Sequence, residues 1–412
     1  MNIHILWALI IGFSAVMYTI FDGFDLGVGI LLPFIRKKEQ RDAMVDSITP
    51  VWDGNETWIA LMGVGLFGGF AKAYSILLPA LYLPLIVMIL SLVLRGVAME
   101  FRFQSVTHQS RWDAAFATAS ILAAFCQGIV LGNLMEGIEV HAGTPFVDTS
   151  FHFFSPFTIL TGITLVVTFA LSGAAWLNLK TTGALQSAIK RLVPTIVAMQ
   201  AVLFGLIVYG RFHFSVFAPR WGVFGMDEIL SARSIAWYLA TAILLLGIVR
   251  TVKRGKDWLP FTLSVMMIVL SAAYLISGFW PYIIPPQLTI EDAASPIFGS
   301  TVLLYGGFIV IPIILAYLIY SYVVFRGKVT GNDNYEPPGM PAESAGSNKF
   351  DEFHLPPMKG VINLAWPWRI FISLLGFGYF FLVLGFLGDM VALVSIALVI
   401  LLFLVAAWIW KR

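Results

Sequence analysis

Two acidic residues stand inside a long apolar run near the start of the chain. Asp22 and Asp25 belong to the segment Phe-Asp-Gly-Phe-Asp-Leu-Gly-Val-Gly at 21–29. Residues three apart share a face of a helix, so both carboxyl groups are expected to point the same way. A carboxylate in a bilayer costs about 2.5 to 3.5 kcal/mol by insertion scales. Two within one turn therefore predict either a site that moves protons or a structural ion cluster.

Further acids and one arginine are expected close to the first pair. The segment Val-Trp-Asp-Gly-Asn-Glu-Thr-Trp at 51–58 opens the second apolar run and carries Asp53 and Glu56, three residues apart. The third run is predicted to end at Arg95. Acids in a membrane can carry protons by changing protonation state, and an arginine holds a partner ionised. In the structural alternative, Arg95 pairs with one acid and Asp53 caps the second helix.

The elements that carry these residues are long apolar helices. Hydrophobic residues make up 59% of the chain and charged residues 12%, against roughly 25% charged residues in soluble domains. A helix needs about 20 apolar residues to cross the hydrocarbon core. We therefore predict an all-α polytopic membrane protein, in which the first apolar run is a retained span and not a cleaved signal.

Nine spans are predicted before the first polar break and two after it. The nine lie near residues 5–34, 54–71, 74–95, 114–134, 156–177, 192–210, 234–250, 259–280 and 298–325. A polar, Pro-rich segment then reads as a solvated linker, and spans near 366–387 and 390–410 close the chain. The predicted organisation is a nine-span core at 1–328, a linker at 329–364 and a two-span extension at 365–412.

The basic residues give the expected orientation of these spans. Of the 25 Lys and Arg residues, 21 fall in alternate loops or at the span ends beside them, on one side of the membrane. The other side receives four: Lys72, Arg211, Arg220 and Arg233. Because Lys and Arg are retained on the cytoplasmic side, the pattern predicts an N-out, C-in topology. Asp22, Asp25, Asp53 and Arg95 then all lie near the cytoplasmic surface.

Small residues and the single cysteine indicate packing. Gly23 and Gly27 form a small-xxx-small pair, as do Gly65 and Gly69, and such pairs let helix backbones approach closely. Cys126 falls inside an apolar span, where a thiol more often packs than reacts.

Other cofactor and ligand classes have little support. The six histidines lie at span ends or in loops, and haem in a bilayer usually takes an axial His, Met or Cys. The 14 methionines leave ligation open, but we expect this chain alone to hold no haem. No tight ligand spacing predicts a metal site near His141 and His152. The dispersed basic residues do not predict nucleic-acid binding.

At its polar segments the chain resembles subunit II of the cytochrome bd-type quinol oxidases, including the cyanide-insensitive branch. The resemblance is carried by the segments at 21–29 and 51–58, by Leu-Arg-Gly-Val at 94–97, by Gly-Asn-Leu at 132–134 and by Phe-Trp-Pro-Tyr at 279–282. It covers about residues 1–328, and the first two segments are long and specific.

The resemblance implies an activity that belongs to a complex. Such a complex oxidises quinol, reduces O2 to water, takes protons from the cytoplasm and contributes to the proton motive force. Subunit I carries haems b and a d- or b-type haem, together with the quinol site. Subunit II forms two four-helix bundles plus one helix and binds no haem. It scaffolds subunit I and contributes to proton and oxygen access.

The resemblance also assigns roles to residues. Four acids are expected along a proton pathway, with Asp53 the first candidate: Asp53, Asp25, Asp22 and Glu56. Three residues are expected to support this region: Trp52, Asn55 and Arg95. In some members a structural quinone lies near the Trp-Asp segment, so the resemblance allows one here. No catalytic residue and no metal ligand is expected in this chain.

The expected partners are oxidase subunit I, membrane lipids and quinone, in a bacterial inner membrane. Subunit II usually ends soon after the ninth span, so residues 329–412 depart from the family pattern. The appended hairpin is interpreted as a substitute for a small single-span accessory subunit, and other such subunits are allowed. A proton-coupled secondary transporter is the alternative function, although transporters often break spans at the midplane. A scaffold with purely structural acids is a third.

Overall fold

The computed structural model describes residues 3–105, 107–138, 153–213 and 231–329. Within these ranges the chain forms α-helices, one short 3-10 turn (Leu32–Phe34) and one two-stranded antiparallel sheet. The helices are α1 (Ile3–Leu31), α2 (Lys38–Asp46), α3 (Trp52–Gly69), α4 (Ala71–Ala80), α5 (Tyr82–Gln104), α6 (Gln109–Glu136), α7 (Pro156–Lys180), α8 (Gly183–His213), α9 (Ala232–Lys253), α10 (Leu259–Phe279) and α11 (Ile297–Val324). The strands are β1 (Tyr282–Ile284) and β2 (Leu288–Thr289).

The predicted all-α polytopic membrane class is confirmed. Eight of the described helices are long and apolar enough to cross a membrane: α1 and α5 to α11. Helix α3, which begins with the polar segment at 52–56, is not among these eight. The predicted linker and the two closing spans lie outside the described residues, so the extension stays a prediction.

The prediction for the third span has the wrong bounds. It placed a span at 74–95, but the chain breaks at Leu81, and α5 continues nine residues past Arg95 to Gln104. Pro79 and Pro84 flank the break, and proline is unfavourable inside a helix but tolerated in the first turn. The charge of Arg95 suggested a helix end. Because Arg95 is paired with acids inside the protein, its charge does not require water, and the helix continues past it.

Helix α1 lies among most of the other long helices. It packs against α3, α6 and α7 and also contacts α10 and α11. Helix α5 packs on α6, α7 on α8, and α9 on α10, while α11 lies against α3. Association of helices in a membrane depends on close packing rather than on removal from water, so α1 needs small residues where it meets its neighbours.

Gly27 provides the closest of these contacts. A Cβ atom at Gly27 would lie 1.9 Å from the carbonyl oxygen of Phe169 and 2.8 Å from the backbone nitrogen of Gly173. A Cβ at Gly23 would lie 2.8 Å from the Phe169 ring, and one at Gly69 would lie 2.8 Å from the Trp7 ring. The predicted packing role of these glycines is therefore confirmed.

The strands belong to the loop between α10 and α11, and this loop hydrogen-bonds to both sides of the break between α3 and α4. Ser295 follows β2, and its backbone N–H donates to the carbonyl of Gly69, at the end of α3. Its Oγ accepts a 2.9 Å hydrogen bond from the backbone N–H of Ala71, at the start of α4. Helix ends carry backbone groups that lack intrahelical partners, and this one serine satisfies a group on each side of the break.

Candidate functional site: a buried acid and arginine cluster

The predicted acids of α1 meet the arginine of α5 inside the protein. Asp22, Asp25 and Arg95 are each 0% exposed. Arg95 Nη1 pairs with Asp22 Oδ1, and Arg95 Nη2 lies 2.8 Å from Oε2 of Glu56, whose side chain is 28% exposed. One guanidinium therefore holds two carboxylates that come from different helices.

Asn55 links the second acid of α1 to the cluster. The Nδ2 of Asn55 donates to Oδ2 of Asp25 at 2.8 Å, and its Oδ1 accepts from the hydroxyl of Tyr322 on α11 at 2.9 Å. Asn55 is 0% exposed, so both halves of its amide are used in a buried setting. Helices α1, α3 and α11 thus meet through one side chain.

Trp52 lies over the guanidinium of Arg95. The Arg95 Cζ atom is 5.6 Å from the centroid of the Trp52 ring, within the range of a cation–π contact. A Cβ at Gly96 would lie 3.1 Å from this ring, so the residue after the arginine leaves room for the indole.

Asp53 does not join the buried cluster within this chain. It is exposed, in the first turn of α3, while Glu100 on α5 is also exposed. Val51 is the N-cap of α3, and no side chain caps this end. The capping alternative for Asp53 is therefore wrong. Its side chain lies one turn before Glu56, the half-buried acid.

A second buried ion cluster is centred on Arg102 and was not predicted from the sequence. Arg102 is 0% exposed; its Nη2 lies 2.7 Å from Asp42 Oδ1, and its Nε donates to Asp113 Oδ1. Arg41 Nε lies 3.0 Å from the other oxygen of Asp113. The cluster joins α2, α5 and α6. A signal was available: Arg102 follows Arg95 by seven residues, which is two turns along the same face.

The end of α11 is fixed by a lysine on α7. Lys180 Nζ donates to the carbonyls of Phe325 and, at 3.0 Å, Gly327. The backbone N–H of Val329 donates to the Lys180 carbonyl at 2.7 Å. We call these contacts of Lys180 the α11 clamp.

Asp257, between α9 and α10, adds an ion pair beside the clamp. Its Oδ2 accepts from Lys328 Nζ, and its Oδ1 lies 3.6 Å from Lys190 Nζ. Partial burial acts to raise the pKa of Asp257, but the hydrogen bond and charge of Lys328 and the charge of Lys190 outweigh it. The pKa of Asp257 therefore lies below its ordinary value.

Metal ligands do not converge in the part of the chain that the structure describes, where no three His, Cys, Asp or Glu side chains come together as a metal site would need. His141 and His152 lie outside the described residues. The acids of the Arg95 cluster are held by an arginine and an amide, and the chemistry open to them is proton binding and release.

The comparisons with known proteins identify the family. The family model described as "Cytochrome bd terminal oxidase subunit II" matches residues 3–325. The chain belongs to this family. The predicted recognition is confirmed. This cytochrome bd subunit II is part of an oxidoreductase complex whose catalytic centre lies in the partner subunit, as predicted.

Two curated relatives agree with this assignment. "Probable cytochrome oxidase subunit 2" of Haemophilus influenzae is 26% identical over 368 residues, covering 80% of this chain and 96% of the relative. "Cytochrome bd-I ubiquinol oxidase subunit 2" of Escherichia coli K12 is 24% identical over 377 residues, with the same coverage.

One solved structure has the same fold. The bd oxidase from Geobacillus thermodenitrificans matches with a TM-score of 0.64 and 17% identity, covering 79% of this chain and 99% of the matched chain. A cytochrome bd complex carries haems, and a subunit II has subunit I as its partner. The predicted location in the inner membrane is confirmed by the family and by the apolar helices.

Proposed function

We propose that this chain delivers cytoplasmic protons to a quinol-oxidising, O2-reducing cytochrome bd complex and scaffolds subunit I. Quinol is named as the donor because the Escherichia coli relative is a ubiquinol oxidase subunit. The observation that carries the proposal is a graded burial of acids. Asp53 is exposed, the Glu56 side chain is 28% exposed, and Asp22 and Asp25 are 0% exposed.

The proposed pathway follows this gradient inward. Asp53 takes a proton at the surface of the chain, and Glu56 lies one turn further along α3. The guanidinium of Arg95 then lies between Glu56 and Asp22 and pairs with both carboxylates. Its positive charge offsets the repulsion between two nearby carboxylates, which would be strong in a medium of low dielectric constant. The guanidinium keeps its charge throughout and does not relay the proton, so Glu56 passes its proton inward toward Asp25, the buried acid that Asn55 holds.

The remaining parts of the proposal rest on the family and on helix contacts. The nine predicted spans would include α3, which packs against α1 and α11, and the arrangement of two four-helix bundles plus one helix is carried over from the family. N-out, C-in topology and a route for oxygen toward subunit I belong to the same proposal. The half-buried Trp52 indole offers an aromatic face for the ring of a structural quinone.

The pathway is tested by neutralising its acids in the complete oxidase. Asp53→Asn and Asp25→Asn are each expected to lower quinol oxidase turnover at least tenfold, in line with the roughly 10²–10⁴-fold effects of losing a proton-transfer group. The reduced-minus-oxidised haem spectrum should stay unchanged. Turnover and spectrum are measured on the same purified complex.

Glu100→Gln is the matched control, because Glu100 is an exposed acid on α5 outside the cluster. It should keep full turnover. Normal turnover in both Asp53→Asn and Asp25→Asn would reject proton delivery and leave a structural cluster. A colourless protein that purifies alone and moves a solute would restore the transporter alternative, which the family assignment disfavours.

A further inference from the structure

Among the described residues, Tyr322 is the side chain of α11 that hydrogen-bonds to the acid cluster. Its hydroxyl donates to Asn55 Oδ1 at 2.9 Å, and Asn55 Nδ2 donates to Asp25 Oδ2 at 2.8 Å. The chain of bonds has a fixed direction. An amide that accepts from a hydroxyl at its oxygen presents its NH2 group to the carboxylate on the other side.

Asn55 controls the orientation of Asp25. Asp25 Oδ1 has no hydrogen-bond partner among the described residues, so the plane of this carboxyl group is set by the bond from Asn55 to Oδ2. The charged groups around Asp25 are Asp22 on its own helix, Glu56 on α3 and Arg95 on α5. They act on it through charge and do not fix its plane.

The ring of Tyr322 is held by packing. Its centroid lies 5.5 Å from that of Phe21 and 6.1 Å from that of Trp176. Helices α3 and α11 also come close at this level, because a Cβ at Gly54 would lie 2.8 Å from the Tyr317 ring and 2.9 Å from Leu318. Gly54 directly precedes Asn55, so the close approach brings the amide within reach of the hydroxyl.

The α11 clamp fixes the same stretch of helix from the other direction. Lys180 binds the carbonyls of Phe325 and Gly327, and the first of these lies three residues beyond Tyr322. Lys180 Nζ also lies 5.3 Å from the centroid of Trp176, the residue whose ring touches Tyr322. The tyrosine is therefore held by α1, α3 and α7 together.

We propose that Tyr322 is a positioning residue for proton delivery: it fixes Asn55, which orients the Asp25 carboxyl group. This proposal rests on the proposed function. Tyr322 acts on Asp25 through one intermediate side chain. Its hydroxyl and the amide of Asn55 should therefore behave as a unit, and loss of either should have the same effect on turnover.

The test uses Tyr322→Phe in the complete oxidase complex. The variant keeps the ring and its aromatic contacts but removes the hydroxyl. Turnover is expected to fall about fivefold, the kinetic equivalent of one buried hydrogen bond of about 1 kcal/mol. In an Asn55→Leu background, Tyr322→Phe should cause no further loss, because coupled residues are not additive. Independent fivefold losses that multiply in the double variant would overturn the proposal.

Tyr274→Phe is the matched control. The Tyr274 hydroxyl shares a buried 2.8 Å hydrogen bond with Ser234, on helices that lack the cluster acids. The pH at which turnover is half-maximal should shift in Tyr322→Phe and stay at the wild-type value in Tyr274→Phe. An equal response of the two variants would mean a general loss of stability and would overturn the proposal.

Comparison with Asp25→Asn distinguishes failure of the positioning role of Tyr322 from failure of proton delivery itself. Slow turnover in Asp25→Asn with wild-type turnover in Tyr322→Phe would refute the positioning role alone. Wild-type turnover in both Asp25→Asn and Asp53→Asn would refute proton delivery itself. The haem spectrum of each variant complex is recorded beside turnover, so that loss of assembly is recognised.

Discussion

Replacement of Arg95 by methionine should expose how much the buried cluster depends on one positive charge. Arg95→Met keeps a long flexible side chain under Trp52 but removes the guanidinium. Asp22, which is 0% exposed, then keeps a buried carboxylate without its ion-pair partner. Glu56 loses the same partner, but its side chain is 28% exposed and remains partly hydrated.

The expected cost follows from this difference in exposure. Removal of one partner from a buried ion pair costs about 3–5 kcal/mol, and we assign most of it to Asp22. The loss at Glu56 adds less than about 1 kcal/mol, because exposed pairs contribute little. For a chain of 412 residues, about 2 cal/mol/K per residue gives an unfolding entropy of about 0.9 kcal/mol/K, so 4 kcal/mol lowers Tm by about 5 °C.

The assay is the thermal unfolding transition of this subunit, followed within the purified complex, with Asp22→Asn and the double variant measured beside Arg95→Met. Removal of the carboxylate together with the guanidinium takes away the unpaired charge, so the double variant should recover about 2 kcal/mol relative to the sum of the single losses. Arg36→Met is the control, because Arg36 is exposed and should change stability by less than about 0.5 kcal/mol. Additive losses in the double variant, or a wild-type Tm in Arg95→Met, would refute the reasoning.

Two further predictions concern packing and pH. Gly27→Ala should destabilise the complex by more than about 2 kcal/mol, because the new methyl would overlap the α7 backbone. Gly205→Ala is the control, because the space around its Cβ position is open. Equal Tm values for the two variants would contradict the packing argument. Asp257 has a lowered pKa in the folded protein, so its pairing with Lys328 should stabilise the protein above about pH 4, the unfolded value, and lose that effect as pH falls through the lower folded value. Because the pair is about one-third exposed, Asp257→Asn should cost only about 0.5 kcal/mol at neutral pH. The Tm difference between this variant and the wild type should vanish in strong acid. A difference that persists there would contradict a stabilising role for the Asp257 carboxylate.

The sequence alone predicted which polar residues are unusual, but not which way each one faces. Spacing placed Asp53 and Glu56 on one side of α3, and in the structure they do lie one turn apart. It could not supply the rotation of α3 about its own axis, which leaves Asp53 exposed and turns Asn55 to Asp25. That rotation depends on contacts with α1 and α11.

The link through Tyr322 could not have been predicted from spacing. It joins residues 267 positions apart, and nothing in the periodicity of α11 distinguishes Tyr322 from the six other hydroxyl-bearing residues of this helix. The third span was misplaced for a related reason. The charge of Arg95 suggested a residue at the water-exposed end of a span. Its ion-pair partner, Asp22, lies 73 residues earlier in the chain, so local spacing could not show that the charge is neutralised inside the protein.

The double contact of Ser295 has a consequence for the order in which the protein can be completed during synthesis. The oxygen that satisfies Ala71 belongs to a residue 224 positions later, so α3 and α4 leave the ribosome long before their junction can close. Until then Gly69 and Ala71 lack these partners, and the bend between the two helices is free to vary. The loop that contains Ser295 is synthesised late and fixes the angle between two helices, α3 and α4, that are synthesised early. A chain interrupted before Ser295 would carry all the residues of the Arg95 ion cluster without the contacts that secure the far end of α3.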